Sequence, residues 1–185
     1  MERPFVQIID DKLSTTPLLP TYLIENQLNA WEKQYHTVAV MGCQSSGKST
    51  ILNYLFDTAF PIMNNKVSRC QTTKGVYISF HPDIKIFILD LEGTDSKERG
   101  DMGKKFEQST ALFALALSDI LIINMWMSDI GRYNAANYEL LKTVIEVSLR
   151  LFKKTSHKKL LFAIRDYDHL NVKEKMAAML NDDLK

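Results

Sequence analysis

The run Gly42-Cys43-Gln44-Ser45-Ser46-Gly47-Lys48-Ser49 constrains this chain more than any other feature, because it fits G-x-x-x-x-G-K-[ST] without a mismatch. Its surroundings fit as well. Residues 37–41 (TVAVM) form a short, β-branched apolar run that reads as a buried strand, and residues 49–56 read as a helix. A glycine-rich turn between a buried strand and a helix is a cradle for phosphate. Its backbone N–H groups turn inward, and the helix N-terminus adds partial positive charge. The amides of Gly42, Cys43, Gln44, Ser45, Ser46 and Gly47 line such a cradle, with the side chains of Cys43, Ser45 and Ser46 serving as turn formers and packing. Lys48 supplies a point charge to the β- and γ-phosphates, the Ser49 hydroxyl suits Mg²⁺, and Thr50 is placed to donate to the α-phosphate.

Composition narrows the class of protein. The 185 residues suffice for one ordinary domain. Lys+Arg is 23 and Asp+Glu is 22, so bulk positive charge gives no support to a nucleic-acid partner. Two cysteines, Cys43 and Cys70, make neither a disulfide framework nor a four-ligand zinc site. The N-terminus MERPFVQIIDDK carries acids where a signal peptide needs an apolar run. The most apolar stretch, residues 111–127, falls short of the roughly 20 residues a bilayer requires and is interrupted by Ser118, Asp119 and Asn124. It reads as the end of a buried helix followed by a buried strand starting at Ile120.

The rest of the chain alternates strand and helix. Residues 1–19 read as irregular, with Pro4, Pro17 and Pro20 as breakers, and 21–31 as a short helix. Residues 57–72 form a long loop. Residues 75–80 and 84–89 are two β-rich runs about His81-Pro82-Asp83, an expected antiparallel hairpin. Residues 91–103 are a loop, 104–117 a helix, 120–126 a strand, 134–152 a long helix, 160–164 a strand and 172–184 a final helix. An N-terminal segment of 1–30 would thus precede a domain of 31–185. The pattern predicts an α/β fold: a mostly parallel sheet with one antiparallel strand and helices on both faces. Ligands in such sheets bind at the carboxyl ends of the strands.

Two of those strand ends carry further candidates. Asp90-Leu91-Glu92-Gly93 has the form D-x-x-G after an apolar strand. The Asp can hold Mg²⁺ through water, and Gly93 lets its N–H approach a γ-phosphate. The run Leu160-Leu161-Phe162-Ala163-Ile164 ends in Arg165-Asp166, where a carboxylate can accept both N1–H and the N2 amino hydrogens of guanine. Adenine offers a lone pair at N1, which the same carboxylate rejects. Upstream of the hairpin, Thr72-Thr73-Lys74-Gly75 offers a threonine hydroxyl to Mg²⁺ and an N–H to the γ-phosphate; Thr73 is the better placed of the two.

Taken together, GCQSSGKST, QTTKG, DLEGTD, the long run ALFALALSDILIINMWMSDIGRYNAAN and AIRD resemble the root-hair-defective branch of the dynamin-like GTPases, relatives of atlastins and guanylate-binding proteins. The similarity extends from about residue 31 to about residue 168. It implies a P-loop NTPase of Ras-like G-domain type that takes GTP and Mg²⁺. Lys48, Thr73 and Gly93 would act on the γ-phosphate, Ser49, Thr73 and Asp90 would hold the metal, and Arg165 and Asp166 would bind the base. It also implies a domain on the cytosolic face of the endoplasmic reticulum, in which GTP drives homodimerisation and homotypic membrane fusion.

Two departures bear on those implications. Atlastins and guanylate-binding proteins carry an arginine at the fourth position of the phosphate turn, an internal finger; Ser45 stands there in this chain. A cation worth about 10³–10⁵ in rate would come from elsewhere, with Arg69, Arg99 and Arg132 as loop candidates, or be absent. The chain also runs only to Lys185, where family members continue with another strand and helix, a guanine cap, a stalk and membrane segments. A truncated family member is therefore expected, with the strand at 160–164 left at the sheet edge.

Two other classes compete with the GTPase reading. One is a non-catalytic module that keeps the pocket and pairs with full-length relatives; the other is an ATP-using P-loop enzyme, against which Asp166 argues. The basic cluster Lys153-Lys154-Thr155-Ser156-His157-Lys158-Lys159 reads as lysines at the negative end of a helix. His36, His81, His157 and His169 show no metal spacing, and Met125, Trp126 and Met127 read as packing.

Overall fold

The computed structural model describes residues 3–32, 34–62, 73–93, 103–130, 142, 146 and 158–166. Expectations on Arg69, Cys70, Thr72, Arg99, Arg132, Lys153, Lys154, His157 and His169, and on the final helix, lie outside those residues. Of the helix expected at 134–152, the described Lys142 and Glu146 are helical.

Among the described residues, the elements with defined bounds follow in the order β1 (Phe5–Ile9), α1 (Leu18–Glu25), β2 (His36–Gly42), α2 (Lys48–Phe56), β3 (Val76–His81), β4 (Ile86–Leu91), α3 (Gly103–Leu117), β5 (Ile120–Trp126) and β6 (Lys159–Arg165). They form one sheet in the order β1-β3-β4-β2-β5-β6. β2 runs parallel to β4 and β5, and β5 parallel to β6, while β3 is antiparallel to both β1 and β4. Among the described strands β3 is thus the reversed one, as the hairpin pattern predicts. The apolar stretch at 111–127 divides as expected, with α3 ending at Leu117 and β5 starting at Ile120. Among the described residues no helix is long and apolar enough to cross a membrane.

Strand periodicity sorts the core into two layers. Ala39, Met41, Phe87, Leu89, Leu91, Leu121 and Ile123 face one side, where they pack with Tyr22 of α1 and Ala111, Ala114 and Leu115 of α3. Val38, Val40, Ile88 and Ile122 face the other, against Leu52 of α2 and Phe60. Continued by two along each strand, the α2 face next receives Asp90 of β4 and Asn124 of β5. On β6, Ala163 packs on the same α2 layer, and the same period carries Arg165 to that side. The polar residues at the carboxyl ends therefore project toward the start of α2.

The first residues depart from the expected irregular segment. Phe5–Ile9 pairs with β3, and the prolines do not break α1, because Pro17 sits at its N-cap and Pro20 in its first turn. N–H groups there have no intrahelical acceptor, so proline costs nothing in hydrogen bonds. Edge strand β1 is anchored further by Ser79 Oγ and Tyr22 Oη, which donate to the Pro4 carbonyl at 2.7 and 2.9 Å. Lys158, from the basic cluster, donates instead to the carbonyls of Ser118 just after α3 and of Ala116 in its last turn, at 2.6 and 3.2 Å.

Gly75 opens β3 at φ +81°, and a Cβ there would run into the Ile9 carbonyl of β1. Strain and steric conflict coincide at this position, so Gly75→Ala is expected to lower stability by about 2–4 kcal/mol. Urea unfolding followed by circular dichroism measures it, with an unshifted midpoint as the contrary result.

Candidate functional site

β2 ends at Gly42 directly opposite Asn124, and a Cβ on Gly42 would strike the Asn124 carbonyl; only glycine lets the chain turn here. The turn itself is left-handed at Ser45 (φ 59°) and at Gly47 (φ 82°), which is the N-cap of α2. The Ser46 N–H donates to the Cys43 carbonyl at 3.3 Å. Lys48 folds back over the turn, and its Nζ donates to the Cys43 carbonyl at 2.9 Å. Gly93, from the D-x-x-G run, packs so closely on the backbone of Gln44 that a Cβ would collide with it. Thr50 is exposed on the first turn of α2.

Beside this turn lies a cluster of three oxygens from three separate segments. Ser49 Oγ donates to Asp90 Oδ2 at 2.7 Å, Thr73 Oγ1 donates to the same oxygen at 3.2 Å, and the two hydroxyls lie 3.2 Å apart. Asp90 is wholly buried, and its Oδ1 has no hydrogen-bond partner. A buried carboxylate with an idle oxygen flanked by two hydroxyls is a donor set of the hard, all-oxygen type that suits Mg²⁺. The residues present thus fit the metal expected at Ser49, Thr73 and Asp90.

Burial dominates the electrostatics. It pushes the Asp90 carboxyl up to about 6, against the opposing pull of the Ser49 hydrogen bond, the Lys48 charge and the Thr73 hydrogen bond. It also pushes the Lys48 ammonium down, with Asp90, Cys43 and Glu92 acting the other way. Neither group is fully compensated by the other, which is the condition of a site shaped for ligands that bring both charges.

Three residues reach the site without having been singled out by the sequence. Asn124 Nδ2 donates to the Ser46 carbonyl at 2.8 Å and to Ser46 Oγ at 2.9 Å. Glu92 Oε2 accepts the Gly75 N–H at 2.7 Å, tying the D-x-x-G run to the segment that carries Thr73. Gln7 Nε2 donates to the Lys74 carbonyl at 2.7 Å, holding the same segment from β1. For Asn124 the signal was present: a lone amide within an apolar strand, in step with buried Ile122.

At the end of β6, Arg165 Nη1 donates to the Ser46 carbonyl, and its guanidinium lies 4.8 Å from the Trp126 ring centroid. Trp126 therefore faces a cation, where the sequence suggested packing. Asp166 follows with φ 54° and an exposed side chain, next to the residue that touches the phosphate turn.

Residues 41–185 match the family model of the root hair defective 3 GTP-binding protein (RHD3) GTPase domain. This chain belongs to that family. It is 50% identical over 162 residues to Protein SEY1 homolog 1 of Trichomonas vaginalis, covering 86% of this chain and 20% of that protein. Against the SEY1 homolog of Dictyostelium discoideum the identity is 47% over 182 residues, covering 95% and 20%. The chain spans about a fifth of the length of these curated relatives. Among solved structures, Era of Aquifex aeolicus bound to GDP and AlF₄⁻ superposes with a TM-score of 0.51 at 20% identity, over 80% of this chain and 46% of that one. That likeness concerns the fold, an RHD3-family GTPase domain built on the G-domain sheet.

The raised Asp90 value has a definite sign. The native protein keeps that proton up to about pH 6, whereas the side chain ordinarily releases it near 3.8. The fold therefore loses about 3 kcal/mol of this group's contribution between pH 4 and pH 7 in the nucleotide-free protein. Asp90→Asn is expected to flatten that part of the stability curve, read by urea unfolding across pH; a slope equal to that of the unsubstituted chain would contradict it.

Proposed function

We propose that this chain binds GTP with Mg²⁺ and hydrolyses it to GDP and phosphate. The observation that carries this reading is the meeting of Ser49, Thr73 and the half-unpartnered Asp90 beside buried Lys48. Water attacks the γ-phosphorus in line, the bond to the β,γ-bridging oxygen breaks, and that oxygen leaves on GDP. The backbone amides of residues 42–47 hold the phosphates, Lys48 neutralises charge on the β- and γ-groups, and Thr50 donates to the α-phosphate. Ser49, Thr73 and Asp90 would hold Mg²⁺, which when bound would supply neutralising charge to the phosphates. The N–H groups of Thr73 and Gly93 meet the third phosphate, so that GTP and GDP are told apart there. Asp166 accepts from guanine, and Arg165 braces the base-side edge of the turn.

In the whole protein this domain serves GTP-dependent pairing and homotypic membrane fusion on the cytosolic face of the endoplasmic reticulum. Family membership and the motif resemblance support that role.

Titration with fluorescent GTP and ATP analogues, followed by a phosphate-release assay with Mg²⁺, tests the biochemistry. GTP is expected to be preferred, with turnover falling by about 10²–10³ in Lys48→Ala. Binding without turnover would favour the non-catalytic pairing module, and a preference for ATP would remove the base assignment. Asp166→Asn is expected to weaken GTP binding by about 10²-fold, since the amide keeps one acceptor oxygen but turns an NH₂ donor toward the second guanine hydrogen. Equal GTP affinity in that variant counts against Asp166 as the guanine reader.

A further inference from the structure

We propose that Asn124 is a positioning residue of the phosphate turn: together with Arg165 it fixes the Ser46–Gly47 peptide so that the Gly47 N–H is presented to phosphate. The inference rests on the reading of residues 42–49 as a phosphate cradle.

Asn124 stands in β5, whose sequence ILIINMW is otherwise apolar, and it is 0% exposed. An amide in such a place is costly unless its polar atoms are used. Its Nδ2 is used twice on Ser46, on the carbonyl at 2.8 Å and on the hydroxyl at 2.9 Å. Arg165 Nη1 donates to that same carbonyl from β6, with the guanidinium held over Trp126. A carbonyl oxygen has two lone pairs, and both are engaged by donors from adjacent strands. In a trans peptide the C=O and the following N–H point in opposite directions. Anchoring the Ser46 carbonyl to β5 and β6 therefore turns the Gly47 N–H away from them. Gly47 supports the same arrangement, because a Cβ there would displace the Arg165 guanidinium.

Asn124 Oδ1, by contrast, is buried without a partner. An apolar residue of similar shape would avoid that unpaired acceptor, so fold stability alone does not account for an amide at this position. Its evident product is the direction of one peptide unit in the turn.

Isothermal titration of the 185-residue chain with GDP, a non-hydrolysable GTP analogue and ADP tests the assignment. Asn124→Asp is nearly isosteric but loses its donors, and Asn124→Leu removes the unpaired Oδ1 together with the donor to buried Ser46 Oγ. Both are expected to weaken GDP and the GTP analogue by the same factor, about tenfold for the lost hydrogen bonds. The unfolding midpoint of nucleotide-free Asn124→Leu is expected to stay near that of the unsubstituted chain, because relief of the unpaired Oδ1 offsets the lost bonds to Ser46. Unchanged GDP affinity in either folded variant would overturn the proposal. So would a loss confined to the GTP analogue, which belongs to the Thr73 segment, or an affinity loss seen only where the midpoint falls. An unsubstituted chain that takes ADP in place of GDP sinks the guanine reading alone, and the same comparison then decides the Asn124 role with ADP. A chain that takes neither sinks both.

Discussion

The hydrogen-bonded register of β2 between two parallel neighbours is the constraint from which the site follows. Val40 lies opposite Asp90, and Gly42 lies opposite Asn124. Because side chains alternate along a strand, this register delivers Asp90 and Asn124 to the α2 face and not to the face lined by Leu89 and Ile123. A slip of one residue would drive the carboxylate into the apolar layer beneath α1 and α3. The apolar residues that prevent such a slip, Val38, Ile88 and Ile122 on one face and Ala39, Leu89 and Leu121 on the other, are wholly or nearly wholly buried. Core packing thus fixes the chemistry to within one strand position.

Once placed, the polar groups are held in an electrostatically incomplete state. Asp90, Lys48 and Glu92 are all buried, yet burial still raises the Asp90 carboxyl and lowers the Lys48 ammonium. Lys48 meets this by leaning on the Cys43 carbonyl, and Asp90 by taking two hydroxyl donors on a single oxygen. Each of these hydrogen bonds uses a group that the proposed reading assigns to a phosphate or to the metal. Ligand binding would therefore exchange internal contacts for stronger charge-assisted ones, without adding new charge to an already satisfied interior.

Much of this was legible in the sequence, for reasons that differ by element. The phosphate turn is fixed by local needs, a close glycine at 42 and a left-handed glycine at 47, and such needs leave a mark on the chain itself. β5 was legible because its apolar run is bounded by Ser118-Asp119. β1 was not, because FVQII is short, flanked by Pro4, and identified as a strand only by pairing with β3, far along the chain. The prolines of α1 misled for a similar reason: their effect depends on where the helix begins. Glu92 was hidden as an unspecified position of D-x-x-G, and its partner Gly75 is a contact of the folded sheet. Asn124 looked like an interruption because its partner Ser46 lies in a turn brought over it by the β2–β5 register.

The same reasoning explains why the Thr73 and Asp90–Gly93 segments behave as one structural unit. The β3–β4 ladder does not stop at Val76 and Leu91. The Glu92 N–H donates to the Gly75 carbonyl at 2.8 Å, and the Glu92 carboxylate takes the Gly75 N–H at 2.7 Å. Gly75 is thereby held through both its backbone groups, with Lys74 beside it held by Gln7. Thr73 stands at one end of this brace and Gly93 at the other, where it abuts Gln44 of the phosphate turn. Gly75, through which the two ends are joined, lies against the backbone of Ile9 and Asp10 with no room for a side chain. The extra edge strand β1 is thus part of the framework of the site: it backs the glycine through which the two segments are joined.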